Sequence, residues 1–202
     1  MAGSQTLFAT QLYSAKLTAR RNAVLAKTAL AIAAEDNAGR RWARDHGYGG
    51  YTSYASLDDL PQRASIFGEL EKDIARHVGL FARALEFDLQ GRRLKLDSLW
   101  LNVMDNDAVH APHIHPHSVI SGTYYVTVPP GSGAIRFEDP RLAMLMAAPP
   151  RKKTASLANR TFVSVAPEPG LLLLWESWLR HEVPANQAES DRISVSFNYR
   201  LE

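Results

Sequence analysis

The spacing of apolar residues changes once along this chain, from a helical period to a strand period. Residues 22–46 are rich in strong helix formers, and residues 65–85 carry apolar side chains three and four positions apart. Ser65 is a candidate N-cap, because its hydroxyl can accept a hydrogen bond from a free amide at the start of a helix. We therefore predict two helices, with a short extended segment at 6–13 and a glycine-rich break at 46–54.

From residue 93 onward the apolar period is two, which is typical of β-strands with one buried face. Strands are predicted for six short runs: 94–104, 119–128, 134–138, 162–166, 171–176 and 192–201. In the last run, apolar residues from Ile193 to Leu201 alternate with polar residues from Arg192 to Arg200. One face of that strand is therefore apolar, and the other carries a row of polar side chains.

Helices followed by strands predict an α+β protein, with an antiparallel sandwich or barrel that carries a helical layer on one face. A chain of 202 residues is long enough for one domain, so we predict a single domain, 1–202. Within it, residues 1–92 form a mainly helical flank and residues 93–202 form the core. Residues 142–160 show no period and are predicted to be a long loop; whether this loop is a lid stays open.

Composition limits the chemistry of the protein. The chain has no cysteine, which excludes disulfides, thiolate zinc sites and thiol nucleophiles, so any metal must have nitrogen and oxygen ligands. The net charge is +2 and the basic residues are scattered, so no nucleic-acid partner is expected. No stretch approaches the roughly 20 apolar residues of a membrane span. We therefore predict a cytoplasmic protein without a membrane partner.

Four of the seven histidines lie in one short segment, residues 110–117. Residues two apart on a strand project to the same side, so His113, His115 and His117 could face one way, and any two could bind one metal. Imidazole suits Fe, Zn, Cu or Ni, and such a metal needs a further ligand from elsewhere, for which His181 is the natural candidate. The remaining histidines are interpreted as surface, packing or site-surrounding residues: His46, His77, His110 and His117.

The order of the motifs resembles a known superfamily. The segments that carry the resemblance are His113-Ile-His-Pro-His-Ser-Val-Ile-Ser-Gly-Thr-Tyr-Tyr-Val, Phe137-Glu-Asp-Pro-Arg, Trp178-Leu-Arg-His-Glu-Val-Pro-Ala-Asn and Arg192-Ile-Ser-Val-Ser-Phe-Asn. Together they are similar to a group of bacterial proteins assigned to the Fe(II)/2-oxoglutarate dioxygenases. The resemblance implies a double-stranded β-helix (jelly-roll) core with N-terminal helices packed on one face. It also implies an enzyme that uses Fe(II), 2-oxoglutarate and O₂.

The resemblance further implies roles for particular residues. His113 and His181 match the first and last metal ligands of the superfamily. Arg192 matches the arginine that binds the distal carboxylate of 2-oxoglutarate, with Ser194 on the same strand face, because a planar guanidinium can donate two parallel hydrogen bonds to a carboxylate. From their strand positions, two more residues are predicted to face the barrel interior and contact 2-oxoglutarate or substrate: Asn102 and Tyr124.

One position departs from the superfamily pattern, which has a carboxylate where this chain has His115. Either His115 is the second ligand, which gives a three-histidine site, or His115 turns away and Glu138 or Asp139 supplies an oxygen. We favour His115 because its place two residues after His113 already gives its side chain the right direction.

Three functions are compatible with these residues. The first is an Fe(II)- and 2-oxoglutarate-dependent oxygenase that carries out a hydroxylase-type oxidation of a small-molecule or peptide substrate, with no catalytic residue beyond the metal centre. The second is a cupin-like three-histidine metalloenzyme that does not use 2-oxoglutarate, and the third is a non-catalytic metal- or ligand-binding jelly roll. Arg192 with Ser194 favours the first, since a cupin-like enzyme has no need of a carboxylate clamp. The sequence determines neither the substrate nor the oligomeric state.

Overall fold

Helices occupy the first part of the chain in this computed structural model, which describes residues 3–141 and 145–202. The α-helices of the described residues are α1 (Asn22–Glu35), α2 (Asn37–Asp45), α3 (Leu60–Arg63) and α4 (Ser65–Ala84), and short 3-10 helices span Ala19–Arg21 and Leu157–Asn159. The predicted helix 22–46 is divided at Asp36, whose side chain accepts a hydrogen bond from the Gly39 amide and caps α2. The N-cap prediction is wrong by one residue, because Ser65 is already helical and Ala64 precedes it without a side-chain cap.

The second half of the chain is mainly β-strand. The strands are β1 (Leu12–Lys16), β2 (Tyr51–Thr52), β3 (Leu94–Met104), β4 (His110–His113), β5 (Ile120–Thr127), β6 (Ile135–Glu138), β7 (Phe162–Val165), β8 (Leu171–Glu176), β9 (His181–Val183) and β10 (Arg192–Leu201). The six predicted strands correspond to β3, β5, β6, β7, β8 and β10, each within one residue at either end. Strands β2, β4 and β9 were not predicted, because two to four residues are too few to show a period.

The strands form two antiparallel sheets. The larger sheet has the order β1-β8-β5-β10-β3-β2, and the smaller sheet has the order β4-β9-β6-β7. Side chains from both sheets meet in one apolar cluster, in which Tyr125 and Trp175 of the larger sheet lie with Phe137 and Val183 of the smaller. The sheets therefore pack face to face, and the histidine-bearing strands β4 and β9 belong to the smaller one.

The helices cover the outer face of the larger sheet. In β10, the apolar series Ile193, Val195, Phe197 and Tyr199 joins a cluster that includes Leu25 of α1 and Phe67, Ile74 and Phe81 of α4. The polar series of the same strand points the other way, toward the smaller sheet, where Arg192, Ser194 and Asn198 are all buried. A polar face in water is the usual arrangement of such a strand. Here the row from Arg192 to Asn198 lies between the sheets, and only Arg200 at its end is exposed.

The long loop predicted at 142–160 is described only in part. Residues 142–144 lie outside the described residues, and residues 145–160 are mostly exposed and contain the 3-10 helix Leu157–Asn159. Within the described chain, no helix has the length and apolar character needed to cross a membrane. A role of the loop as a lid stays a prediction.

Candidate functional site

Two histidines face each other across the paired strands β4 and β9. His113 is the direct partner of His181 in the antiparallel register, and their ring centroids are 4.4 Å apart. His115 lies just beyond the end of β4, where its backbone amide donates to the Ser177 carbonyl oxygen over 3.0 Å. Its Nε2 is 3.3 Å from Nε2 of His181. One ring nitrogen from each of the three imidazoles lies within 4.8 Å of the others, so the three histidines surround a common point.

Backbone carbonyl oxygens determine which ring nitrogen of His113 and His181 can bind a metal. Nδ1 of His113 is 2.7 Å from the Ala111 carbonyl oxygen, and Nδ1 of His181 is 2.9 Å from the Leu179 carbonyl oxygen. A carbonyl oxygen can only accept, so Nδ1 carries the proton in both rings and Nε2 presents a lone pair. This is the usual support of a metal-binding histidine, in which the second nitrogen donates to a carbonyl or carboxylate.

The protonation state of His115 and His181 also suits a metal. Burial lowers the pKa of His181 to about 3 and that of His115 to about 4, and the neighbouring His113 adds to both shifts. These two rings are therefore neutral near pH 7, as a metal-binding imidazole must be. Trp175 packs its ring edge-on against His181 at 4.7 Å between centroids and restricts the orientation of that imidazole.

Three other candidates from the sequence lie away from the cluster. His117 is exposed and has a φ of 69°, because β4 ends at His113 and the chain then turns. The expectation that His113, His115 and His117 could share one strand face is therefore wrong. The carboxylates of Glu138 and Asp139 form ion pairs with Arg180 and Arg141, each at 2.8 Å. Neither acid joins the histidine group.

A cavity of about 690 Å³ between the sheets connects the histidines to Arg192. Arg192 is buried, and its Nη1 lies 3.0 Å from Sδ of Met104. Within the described part of the chain, Nε of Arg192 and the hydroxyl of Tyr125 have no hydrogen-bond partner, and no carboxylate is within 4.0 Å of the guanidinium. Burial lowers the pKa of Arg192. A buried, unpaired cation is costly, so this wall of the cavity fits an anionic ligand.

Strand register decides which predicted residues reach the cavity. Ser194 and Asn102 are direct partners in β10 and β3, and both line the cavity. Tyr124 does not: its hydroxyl donates to Oδ1 of Asn22 in α1 over 2.6 Å, on the helix side of the sheet. The prediction for Tyr124 is wrong because neighbouring residues of a strand face opposite sides, and Tyr125 occupies the cavity side. The polar side chains Ser121 and Thr123 share that side with Tyr125 and were the available clue.

A polar network that was not predicted holds the wall near Asn102. Oδ1 of Asn102 accepts hydrogen bonds from the hydroxyls of Tyr48 (2.8 Å) and Thr52 (3.0 Å), while its Nδ2 donates to Ser196 (3.1 Å). The Tyr48 hydroxyl also contacts Nε2 of His110. Because the one hydroxyl proton of Tyr48 goes to Asn102, Nε2 of His110 donates to Tyr48. His110 is neutral, since burial, followed by the charge of Arg192, lowers its pKa to about 3.

Several solved structures share the fold. A Pseudomonas putida prolyl-4-hydroxylase is 16% identical with a TM-score of 0.64, over 95% of this chain and 93% of that one. The non-heme alpha ketoglutarate dependent epimerase SnoN from nogalamycin biosynthesis is 16% identical with a TM-score of 0.63, over 95% and 76%. An oxidoreductase of the 2OG-Fe(II) oxygenase family from Burkholderia pseudomallei is 18% identical with a TM-score of 0.51, over 72% of this chain and 61% of that one. These similarities confirm the predicted α+β jelly roll. A comparison with curated protein sequences found no match.

Sequence similarity identifies the family. Residues 98–198, which are half of the chain, match the family described as "Putative 2OG-Fe(II) oxygenase". The matched segment contains the three clustered histidines and Arg192. The match confirms the enzyme class and the Fe(II) and 2-oxoglutarate cofactors that the motifs implied. The chain belongs to the family of 2OG-Fe(II) oxygenases.

Proposed function

We propose that this protein carries out a hydroxylase-type oxidation of a small-molecule or peptide substrate at a three-histidine iron site, with 2-oxoglutarate as co-substrate. The observation that carries the proposal is the buried guanidinium of Arg192, which has no carboxylate partner among the described residues and opens into the same cavity as the three imidazoles. We further propose that the chain works as one domain, 1–202, in the cytoplasm.

In this proposal His113, His115 and His181 bind the metal through Nε2. Three ligands leave positions open for co-substrate and O₂, as a catalytic site requires. Because all three ligands are neutral, the metal keeps its +2 charge and attracts an anionic co-substrate. The bound iron supplies the redox chemistry that couples decarboxylation of 2-oxoglutarate to oxidation of the substrate.

Arg192 binds the distal carboxylate of 2-oxoglutarate in this arrangement. A carboxylate would pair the buried charge and give the unpartnered Nε an acceptor. Ser194, two positions along the same strand face, supplies a hydroxyl nearby, and the Tyr125 hydroxyl supplies another free donor. Asn102 contributes mainly by holding Tyr48 and Ser196 in the wall, because its amide already bonds their side chains.

A cupin-like enzyme that does not use 2-oxoglutarate has no need of a carboxylate clamp, so it would leave the buried charge of Arg192 without a partner. An unpaired buried charge costs several kcal/mol. A carboxylate ligand from Glu138 or Asp139 is disfavoured, because each already forms an ion pair with an arginine.

The test is an anaerobic titration of the Fe(II)-loaded protein with 2-oxoglutarate, followed through the charge-transfer absorption that appears when the keto acid chelates iron. We expect saturable binding, weaker binding by Arg192→Lys, and unchanged binding by Arg200→Lys, an exposed arginine of the same strand. A protein that binds iron but shows no 2-oxoglutarate binding would favour the cupin-like function. Equal binding by Arg192→Lys and Arg200→Lys would place the carboxylate contact elsewhere.

A further inference from the structure

We propose that the outer part of the cavity binds a flat, uncharged aromatic or heteroaromatic ring of the substrate. The surface that would bind it consists of Trp42, Tyr54 and Trp100, which we call the aromatic wall. This inference rests on the proposed function, because it places the substrate beside the proposed metal centre.

The aromatic wall forms a continuous row that starts next to His115. The ring of Trp100 is 5.9 Å from that of His115, Tyr54 meets Trp100 edge-on at 5.2 Å, and Trp42 follows at 6.2 Å from Tyr54. Trp100, next to the histidines, is 8% exposed, Tyr54 is 54% exposed, and Trp42 is partly buried. The row therefore extends along the cavity from the histidine cluster and reaches solvent at Tyr54.

Contacts within the protein hold two rings of the aromatic wall in place. Trp42 belongs to α2 and stacks on His46 with 4.2 Å between centroids and 17° between planes, and Nδ1 of His46 bonds the Trp42 carbonyl oxygen at 2.9 Å. Trp100 is held within strand β3. Rings that the protein itself holds in place lose little conformational entropy when they bind a ligand. Tyr54 and Trp100 stand edge-to-face, with 72° between their planes. A third ring can therefore stack on one of them while it meets the other edge-on, and aromatic rings prefer both arrangements.

The charges of the cavity argue for an uncharged ring. Among the described lining residues, Arg192 is the one arginine or lysine, and the proposed function commits it to 2-oxoglutarate. Asp97 is the one carboxylate in that lining, and it pairs with Arg200 at 3.2 Å. A charged group on the substrate would thus lose its hydration without gaining a free partner. An apolar ring avoids this cost.

The size and the mouth of the cavity agree with a second ligand. Pockets for drug-sized molecules span roughly 300 to 1,000 Å³, and the cavity of about 690 Å³ is large for a five-carbon diacid alone. Two more apolar residues of its lining, Val109 and Ile114, are 44% and 46% exposed. Apolar side chains left in solvent around one opening are typical of a binding site.

The inference can be tested by nuclear magnetic resonance with three probes that share one ring: indole, tryptamine and indole-3-acetate. The protein is loaded with Mn(II) and saturating 2-oxoglutarate, and broadening of the probe's ring protons by the paramagnetic metal reports binding near it. We expect the ring-proton signals of indole to broaden most and those of indole-3-acetate least. Zn(II)-loaded protein and a protein-free Mn(II) sample correct for diamagnetic and free-metal effects.

Variants decide whether the aromatic wall is responsible. Trp42→Ala and Tyr54→Ala should each weaken indole binding roughly three- to tenfold, the value of one aromatic contact. Trp178→Ala is the matched control, because Trp178 is 45% exposed but does not line the cavity, and it should leave binding unchanged. The inference would be overturned if all three variants bound indole with equal affinity. It would also be overturned if the wild-type protein did not broaden the ring-proton signals of indole.

Two outcomes separate the inference from the proposed function. The protons of 2-oxoglutarate should broaden in the same wild-type sample; if they do not, the proposed function fails and the inference fails with it. If the proton signals of 2-oxoglutarate broaden while those of the indole ring do not, the proposed function stands and the proposed binding of a ring at the aromatic wall fails. Clearly tighter binding of tryptamine than of indole would also overturn it, since the aromatic wall would then serve a cation.

Discussion

Arg192 lies over the ring of Tyr125, with 5.0 Å between the guanidinium carbon and the ring centroid. The contact with an aromatic face stabilises a desolvated cation by about 2 kcal/mol, which is less than the several kcal/mol that burying an ion costs. The protein therefore holds this charge at a net cost to its own stability. A carboxylate ligand removes that cost on binding.

The first prediction concerns the stability of the apo protein. Arg192→Met removes the unpaired charge and keeps an unbranched chain, so the free energy of unfolding should rise by about 1 kcal/mol or more. The stabilisation that 2-oxoglutarate gives the metal-loaded wild type, about 2.7 kcal/mol at a hundred times its Kd, should disappear in the variant. Denaturant unfolding with and without ligand measures both effects. A less stable Arg192→Met that is still stabilised by 2-oxoglutarate would contradict the assignment.

The second prediction concerns His115, where the superfamily pattern has a carboxylate. If His115 is a ligand, His115→Asp should retain about one Fe(II) per chain, while His115→Ala should bind iron at least tenfold more weakly. His117→Ala is the matched control, because His117 is exposed and outside the cluster. Metal content after desalting and a competition titration measure the difference. Wild-type affinity in His115→Ala would require another ligand.

The third prediction concerns the glycine-rich turn that carries Tyr48 into the cavity. Gly50 has a φ of 84°, and a Cβ there would overlap the Val103 carbonyl oxygen, so Gly50→Ala should destabilise by more than about 3 kcal/mol. Gly47 has a φ of 65° with open space around it, so Gly47→Ala should cost only about 1 kcal/mol, for the backbone conformation alone. The difference in stability between the two variants, measured by thermal unfolding, gives the cost of the overlap with the Val103 carbonyl oxygen. Equal losses of stability would show that the turn moves to accommodate the Cβ at residue 50.

The fourth prediction concerns pH and a histidine remote from the metal site. His77 of α4 is buried, with Nδ1 2.7 Å from the Tyr13 hydroxyl, and burial followed by the charge of Arg76 lowers its pKa. In the unfolded chain the pKa of a histidine is about 6.5. As the pH falls below that value, His77 therefore takes up a proton more readily in the unfolded chain than in the folded chain. The contribution of His77 to stability is complete above this pH and decreases as the medium becomes more acidic.

His77→Gln should accordingly flatten the decline in unfolding free energy below neutral pH. The exposed histidine variant His117→Gln, measured alongside it, is the reference for replacing a histidine outside the core. Urea unfolding at several pH values between 5 and 7.5 gives the comparison. Parallel curves for wild type and His77→Gln would show that other groups cause the decline.

By itself the sequence determined the long, regular elements and the chemistry that they carry. The alternation along 192–201 was sufficient to predict β10 and to separate Arg192 and Ser194 from the apolar face, because a strand has a period of two. The clustered histidines and the absence of cysteine were sufficient to predict a nitrogen-ligated metal site. These features depend on residues close together in the chain, so local spacing carries them.

The tertiary structure alone decided what depends on pairing between distant segments. Strands β4 and β9 are too short to show a period, so their register placed His113 opposite His181. Strand β5 is buried on both faces, so Ser121 and Thr123 were a weak local clue, and its pairing with β10 decided that Tyr125, rather than Tyr124, borders the cavity. The contact of Tyr48 with His110 spans 62 positions along the chain. Such contacts form when sheets and helices pack together, and no local pattern of side chains encodes them.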